Sequence, residues 1–190
     1  MKLTEATAYA EKIADWLAPH CERIEIAGSV RRRRPNPNDV DLVVIPKHRT
    51  VKDMLGAVIE DTLPIIAHLN EYVASQPGVG YRMPGDIRNP VSQEPLPGSG
   101  SRENILIKLK SCDLDIFFAT EETVGSVLLC RTGSRDHNVF LAERARKLGF
   151  RWRTQLGIFR EEEAIASKTE TEIFSALKLD WLEPEKRERK

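Results

Sequence analysis

The chain has 190 residues, 41% of them apolar, with 29 Lys and Arg balanced by 29 Asp and Glu. That apolar content supports a buried core in one domain or two small ones. The zero net charge excludes a polyanionic partner held by bulk charge, so any nucleic-acid contact must come from local patches such as Arg31 to Arg34.

Residues 4–18 carry Ala6, Tyr9, Ala10, Ile13 and Leu17 at helical spacing, with Thr4 as the expected N-cap and Pro19 as the stop. Residues 23–27 alternate as a strand that ends at Gly28, and a helix is expected from Ser29. Residues 39–45 read as a second strand between Pro37 and Pro46. Residues 50–73 read as helical, with Pro64 either kinking one helix or separating two. Gly and Pro crowd residues 76–102, the composition of a long loop of the functional or mobile kind. Residues 104–110 and 113–120 read as a hairpin across Ser111 and Cys112, which completes a mixed sheet of about four strands covered by helices.

The texture changes after Thr120. A short helix through Val124, Val127 and Leu128 ends near Thr132-Gly133, and Ser134 caps a second one that Gly149 closes. Short strands follow at 150–153 and 157–160. Thr169-Glu170-Thr171-Glu172 is a capping box for a last helix through Leu179, and the charged tail after it is expected to be solvated. Cys21, Cys112 and Cys130 fit neither a zinc spacing nor a disulfide framework, which points to a reducing cytosol. The N-terminus has no signal-peptide pattern, and no stretch approaches membrane-spanning length.

Chemistry concentrates in two acidic pairs. Asn38-Asp39-Val40-Asp41 opens one apolar, β-prone run and Cys112-Asp113-Leu114-Asp115 opens another. A strand alternates its side chains, so Asp39 and Asp41 share a face, and so do Asp113 and Asp115. Either pair alone reads as a strand-end solubility device. Together, with Gly28-Ser29 and an arginine run upstream, they share one explanation. Carboxylates on neighbouring strands repel unless divalent cations neutralise them, and the Gly-Ser turn and arginines suit the phosphates that such metals accompany.

Gly28-Ser29-x-Arg-Arg, Asp39-x-Asp41, Asp115, Thr132-Gly133-Ser134 and His137-Asn138-Val139, in that order, resemble the DNA polymerase beta-like (family X) polymerases. The resemblance runs from about residue 4 to the end and includes Glu172-Ile173-Phe174 and Glu183-Pro184. It implies an α/β fold (α+β in detail): a nucleotidyltransferase palm over residues 1–120, with a mixed sheet flanked by helices, and a small α+β nucleotide- and DNA-binding subdomain over 121–190. Larger members' lyase and helix-hairpin-helix segments have no counterpart in the 27 residues before Gly28.

By that resemblance Asp39 and Asp41 bind two Mg²⁺ ions, for which Mn²⁺ can substitute. Asp115 binds the one that activates the primer 3′-OH, with Asp113 as its local rival. Gly28, Ser29 and Arg32 match the triphosphate site. Arg31, Arg33 and Arg34 read as a solvated loop, unless Arg31 or Arg33 substitutes for a phosphate arginine that would fall before residue 1. Thr132, Gly133 and Ser134 match the turn that positions the sugar and base, and equally an ordinary helix-to-helix turn. Asn138 matches a base contact. Two departures stand out: Cys130-Arg131 replaces an aromatic pair, and Ala142 falls where a template-contacting arginine is usual, leaving Arg144 and Lys147 as candidate DNA contacts.

The expectation is a cytoplasmic, monomeric DNA-directed DNA polymerase. It adds deoxynucleoside triphosphates to a primer 3′-OH on primer-template or gapped DNA by two-metal catalysis, as in short-gap repair, with no membrane association. The alternatives are a template-independent or small-substrate nucleotidyltransferase and a non-catalytic DNA-binding module.

Overall fold

Helix α1 (Leu3–Leu17) forms where Ala6, Ala10, Ile13 and Leu17 recur on one stripe, and all four are buried in the computed structural model. The chain is described over residues 1–52, 54–55, 58–75, 80–82, 104–108 and 112–188. Lys2, not Thr4, is the N-cap of α1. Its amide donates to the Glu5 carboxylate at 3.0 Å, which ties down the helix entry two residues earlier than the Thr4 hydroxyl would. Pro19 lies in a 3-10 turn, Ala18–His20, that ends the helix.

Strand β1 (Cys21–Ile26) leads through the short helix α2 (Gly28–Arg31) to β2 (Asp39–Pro46), which pairs antiparallel with β1. The helix expected from residue 50 is absent. β3 (Arg49–Lys52) and β4 (Val58–Thr62) form an antiparallel hairpin instead, and α3 (Pro64–Ser75) starts only at the proline. Thr50, Val51, Val58, Ile59 and Thr62 are β-branched and favour extended backbone. Pro64 opens the helix where its missing N–H costs nothing, rather than kinking it.

β5 (Gly80–Arg82) lies inside the stretch read as loop, and the rest of that stretch falls outside the described residues. β6 (Asn104–Lys108) and β7 (Asp113–Phe118) pair antiparallel as the hairpin reading expects, although Ser111 in its turn is outside the described residues. The five strands run in the order β1-β2-β7-β6-β5. The sheet is mixed because β2 and β7 are parallel, aligned Asp39 to Asp113 and Asp41 to Asp115. One face carries Val40, Leu42, Val44, Leu114 and Ile116, buried against Ala6, Ala10, Ile13 and Leu17 of α1 and Ile65 and Leu69 of α3. The aspartates take the opposite face. Further along the same strands Val43, Ile45 and Phe117 join a second cluster with Val124, Val127 and Leu128.

Those last residues belong to α4 (Val124–Thr132), which is followed by α5 (Arg135–Lys147). β8 (Arg151–Arg153), β9 (Gly157–Arg160) and β10 (Glu163–Ala166) then form an antiparallel meander, and α6 (Glu170–Ala176) completes the unit. β10 was not expected, because Glu163-Ala164-Ile165-Ala166 is poor in β-formers. Pairing with β9 supplies what propensity lacks. A Cβ on Gly125 would sit 2.4 Å from the Thr169 backbone, so α4 can lie against the start of α6 only with glycine there. The capping box at Thr169 and Glu172 is present, with the Glu172 amide donating to the Thr169 hydroxyl at 3.1 Å. α6 stops three residues short of Leu179, where Lys178 turns left-handed at φ 53°.

The tail is solvated at Glu183, Glu185, Lys186 and Glu188, as expected, but not at Pro184 and Arg187. Pro184–Lys186 is a 3-10 turn and Arg187 is fully buried, its guanidinium over the Trp181 and Phe174 rings at 4.9 and 5.4 Å. Among the described residues no helix is long and apolar enough to cross a membrane.

Candidate active site

The acidic face is built by alternation. In β2 and in β7 the aspartates alternate with the buried Val40, Leu42, Leu114 and Ile116, so Asp39, Asp41, Asp113 and Asp115 emerge together on the side away from α1. Parallel register sets Asp41 beside Asp115 and Asp39 beside Asp113. The Asp41 carboxyl is pushed up to about 7, first by burial and then by the charges of Asp39 and Asp115, against partial relief from Arg131 and Arg32. Three crowded acids of this kind call for cationic neutralisation.

Gly28 touches the same carboxylate. Its φ is 59°, and a Cβ there would meet Asp41 Oδ2 at 1.8 Å, so glycine is required for the Asp41 side chain to lie where it does. The Ala27 amide donates to the Asp41 carbonyl at 2.8 Å and fixes the turn on β2. The Ser29 hydroxyl is buried with no hydrogen-bond partner.

Hard carboxylate oxygens on adjacent strands, crowded enough to raise the Asp41 pKa, suit Mg²⁺ in donor chemistry. Their side chains as positioned do not converge: among the described residues no three His, Cys, Asp or Glu side chains form a group that could hold a metal ion. Closing in on a cation therefore requires side-chain rotation.

A cleft of about 480 Å³ opens alongside, lined by Arg32, Arg131, Gly133, Arg135, Asn138 and Trp152 among others. It is connected to the acids electrically, since Arg32 and Arg131 line it and both lower the Asp41 pKa. The Arg131 guanidinium lies 4.0 Å from the Phe117 ring centroid. Nothing in the sequence marked Arg131 as a neighbour of the acids. Asn138 Nδ2 donates to the Cys130 carbonyl at 2.7 Å, and its Oδ1 is buried without a partner.

The Thr132-Gly133-Ser134 turn is clasped by the arginine run. Arg31 donates to the Thr132 hydroxyl at 2.6 Å and Arg32 to the Thr132 carbonyl. Gly133 has φ 69°, and the Gly133–Ser134 peptide is cis. Ser134 caps α5 by accepting from the His137 amide, and its hydroxyl donates to the Arg187 carbonyl at 2.8 Å. Thr132 is fully buried, so it shapes the turn. Arg31 also makes a two-pronged ion pair with Glu170 (2.6 and 2.8 Å), and Arg187 binds the same carboxylate at 2.6 Å. Burial pushes the Glu170 pKa up, but the hydrogen bonds from Arg31 and Arg187 outweigh it and hold the group below its usual value.

Arg144 donates to the Leu177 carbonyl at 2.9 Å and finishes α6, whereas Lys147 is exposed. His137 is buried, its ring stacked at 6.0 Å on Phe174.

Residues 127–188 match the family model of the DNA polymerase beta thumb. The whole chain is similar in fold to polymerase beta of Leishmania infantum in a ternary P/T complex, with 18% identity, TM-score 0.67, and coverage of 100% of this chain and 77% of that one. The same holds for that polymerase in a ternary gap complex, at 17% identity, TM-score 0.68, and coverage of 100% and 71%. No curated protein matches the chain in sequence.

Proposed function

From a family X polymerase-like chain that carries a DNA polymerase beta thumb on a polymerase beta fold, we propose a DNA polymerase that adds deoxynucleotides to a primer 3′-OH and fills short gaps. The acidic face carries this reading: Asp41 and Asp115 side by side, with Asp39 on the same face, next to an arginine-lined cleft. Residues 1–120 would be the catalytic palm and 121–190 the part that grips nucleotide and DNA.

Asp39, Asp41 and Asp115 would hold Mg²⁺ or Mn²⁺, which when bound supplies charge neutralisation on the phosphates and a more acidic 3′-OH. Asp115 would take the primer proton; it adjoins Asp41 in register, while Asp113 adjoins Asp39 two residues nearer the strand start, which supports this choice. Arg32 and Arg131 offer the positive wall of the cleft to a triphosphate. Asn138, tied at Nδ2, offers only Oδ1 inward, an acceptor for a donor on the sugar or base. The DNA partner is drawn from the primer-template and gap complexes of the Leishmania polymerase.

Extension of a labelled primer, with and without a template strand, tests this. The wild-type chain should add the templated nucleotide only with Mg²⁺ or Mn²⁺ present, and Asp41→Asn should add none. Equal addition without template would favour a template-independent transferase. DNA retention without addition would favour a binding module.

A further inference from the structure

The arginine run is already occupied, and by the end of its own chain. Arg32 Nε meets Glu188 at 2.7 Å, Arg34 Nε meets the same carboxylate at 3.7 Å, and Arg33 Nε meets Glu185 at 3.1 Å. Arg33 is left-handed at φ 55°, which breaks α2 and lets successive arginines reach different acids. The tail is anchored independently of these pairs. Arg187, fully buried between them, is neutralised by Glu170, donates to the Leu182 carbonyl at 2.9 Å, and has its own carbonyl bound by Ser134.

We propose that Glu185 and Glu188 form a built-in competitor for phosphate, and that a polyphosphate binds Arg32, Arg33 and Arg34 by displacing their carboxylates while Arg187 stays seated. This rests on reading Arg32 as a phosphate-binding residue. Two properties make the exchange feasible. The Arg33–Glu185 pair is exposed, with side chains 74% and 40% accessible, and the Arg34–Glu188 pair has 53% and 33% accessibility, so both pairs are weakly held. A polyphosphate concentrates several negative charges on adjacent oxygens and engages guanidinium groups two-pronged, which single carboxylates spread over a turn do not match. With Arg187 as a fixed pivot, the two acids need only rotate away. The tail would thus set a threshold, excluding ligands with one phosphate and admitting those with two or three.

Calorimetric titration of sodium tripolyphosphate, at low salt and without divalent cations, tests the proposal on the wild-type chain, on E188Q and on the double variant E185Q/E188Q. The double variant should bind about tenfold tighter than wild type and E188Q should fall between, with melting temperatures unchanged in the absence of ligand. Equal affinity across three folded proteins would overturn the competitor while leaving the phosphate reading intact. No binding by any of them would overturn both.

Discussion

At Asp41, burial and two neighbouring carboxylates raise the pKa from 3.8 to about 7, and the consequence for stability has a definite sign. The folded state holds the proton more tightly than the unfolded state, so stability is lost as pH rises from about 4 through about 7, by about 4 kcal/mol across three units. Asp41→Asn removes that penalty. It should raise the melting temperature of the cation-free protein at pH 8 and leave it little changed at pH 4, and equal shifts at both would contradict the assignment. Gly28→Ala should do the reverse, because its Cβ would lie 1.8 Å from Asp41 Oδ2 at a left-handed φ. A loss of about 2–3 kcal/mol, read by denaturant melts, is expected. Alternation alone revealed which face the aspartates share. It could not reveal that Gly28 makes room for a carboxylate, since that contact depends on how the turn folds back over β2.

Among the elements, Glu170 closes the contact between α2 and α6. Its partners Arg31 and Arg187 lie 139 and 17 residues away, which no local pattern displays. The sequence showed Glu170 only as the first residue of a capped helix, and the tail as a charged run. The long-range ion pair buries Glu170 and, within the tail, Arg187. Glu170→Ala should cost about 3–5 kcal/mol, because two arginines would be left facing a buried gap. Its folded pKa is depressed, so its contribution is present above the unfolded value of 4.5 and is lost as pH falls through the folded one. Acid unfolding should therefore be less steep in Glu170→Gln than in wild type. Elsewhere, caps and periodicity located α1, α5 and α6. The hairpin of β3 and β4 was missed because β-branched residues and apolar spacing gave opposite signals, and β10 because its pairing with β9, not its composition, makes it a strand.

For the molecule as a whole, the sheet buries one face under α1 and α3 and packs part of the other against α4, so the acids sit on the face that α4 partly covers. Much of the cationic charge of the chain is committed internally, with Arg31 on Glu170, Arg32 to Arg34 on the tail, and Arg144 on the carbonyls of Leu177 and Lys178 just past α6. DNA affinity should therefore be modest and steeply salt-dependent, each phosphate contact adding about −0.9 to the log–log slope. A fluorescence anisotropy series that stays flat from low to high salt would contradict this. The order of motifs made the overall architecture legible, since it requires only that each element form. The pairing of arginines with distant acids was not legible, since it depends on the finished fold.

Single-nucleotide incorporation into gapped DNA in Mg²⁺, compared for wild type, Asp115→Asn and Asp113→Asn, tests the role of the acidic face most directly. Asp115 stands beside Asp41, whereas Asp113 stands beside Asp39 at the strand's edge. Asp115→Asn should slow incorporation at least about a thousandfold and Asp113→Asn less than about tenfold. Full activity in Asp115→Asn, or an equal loss in Asp113→Asn, would contradict the account.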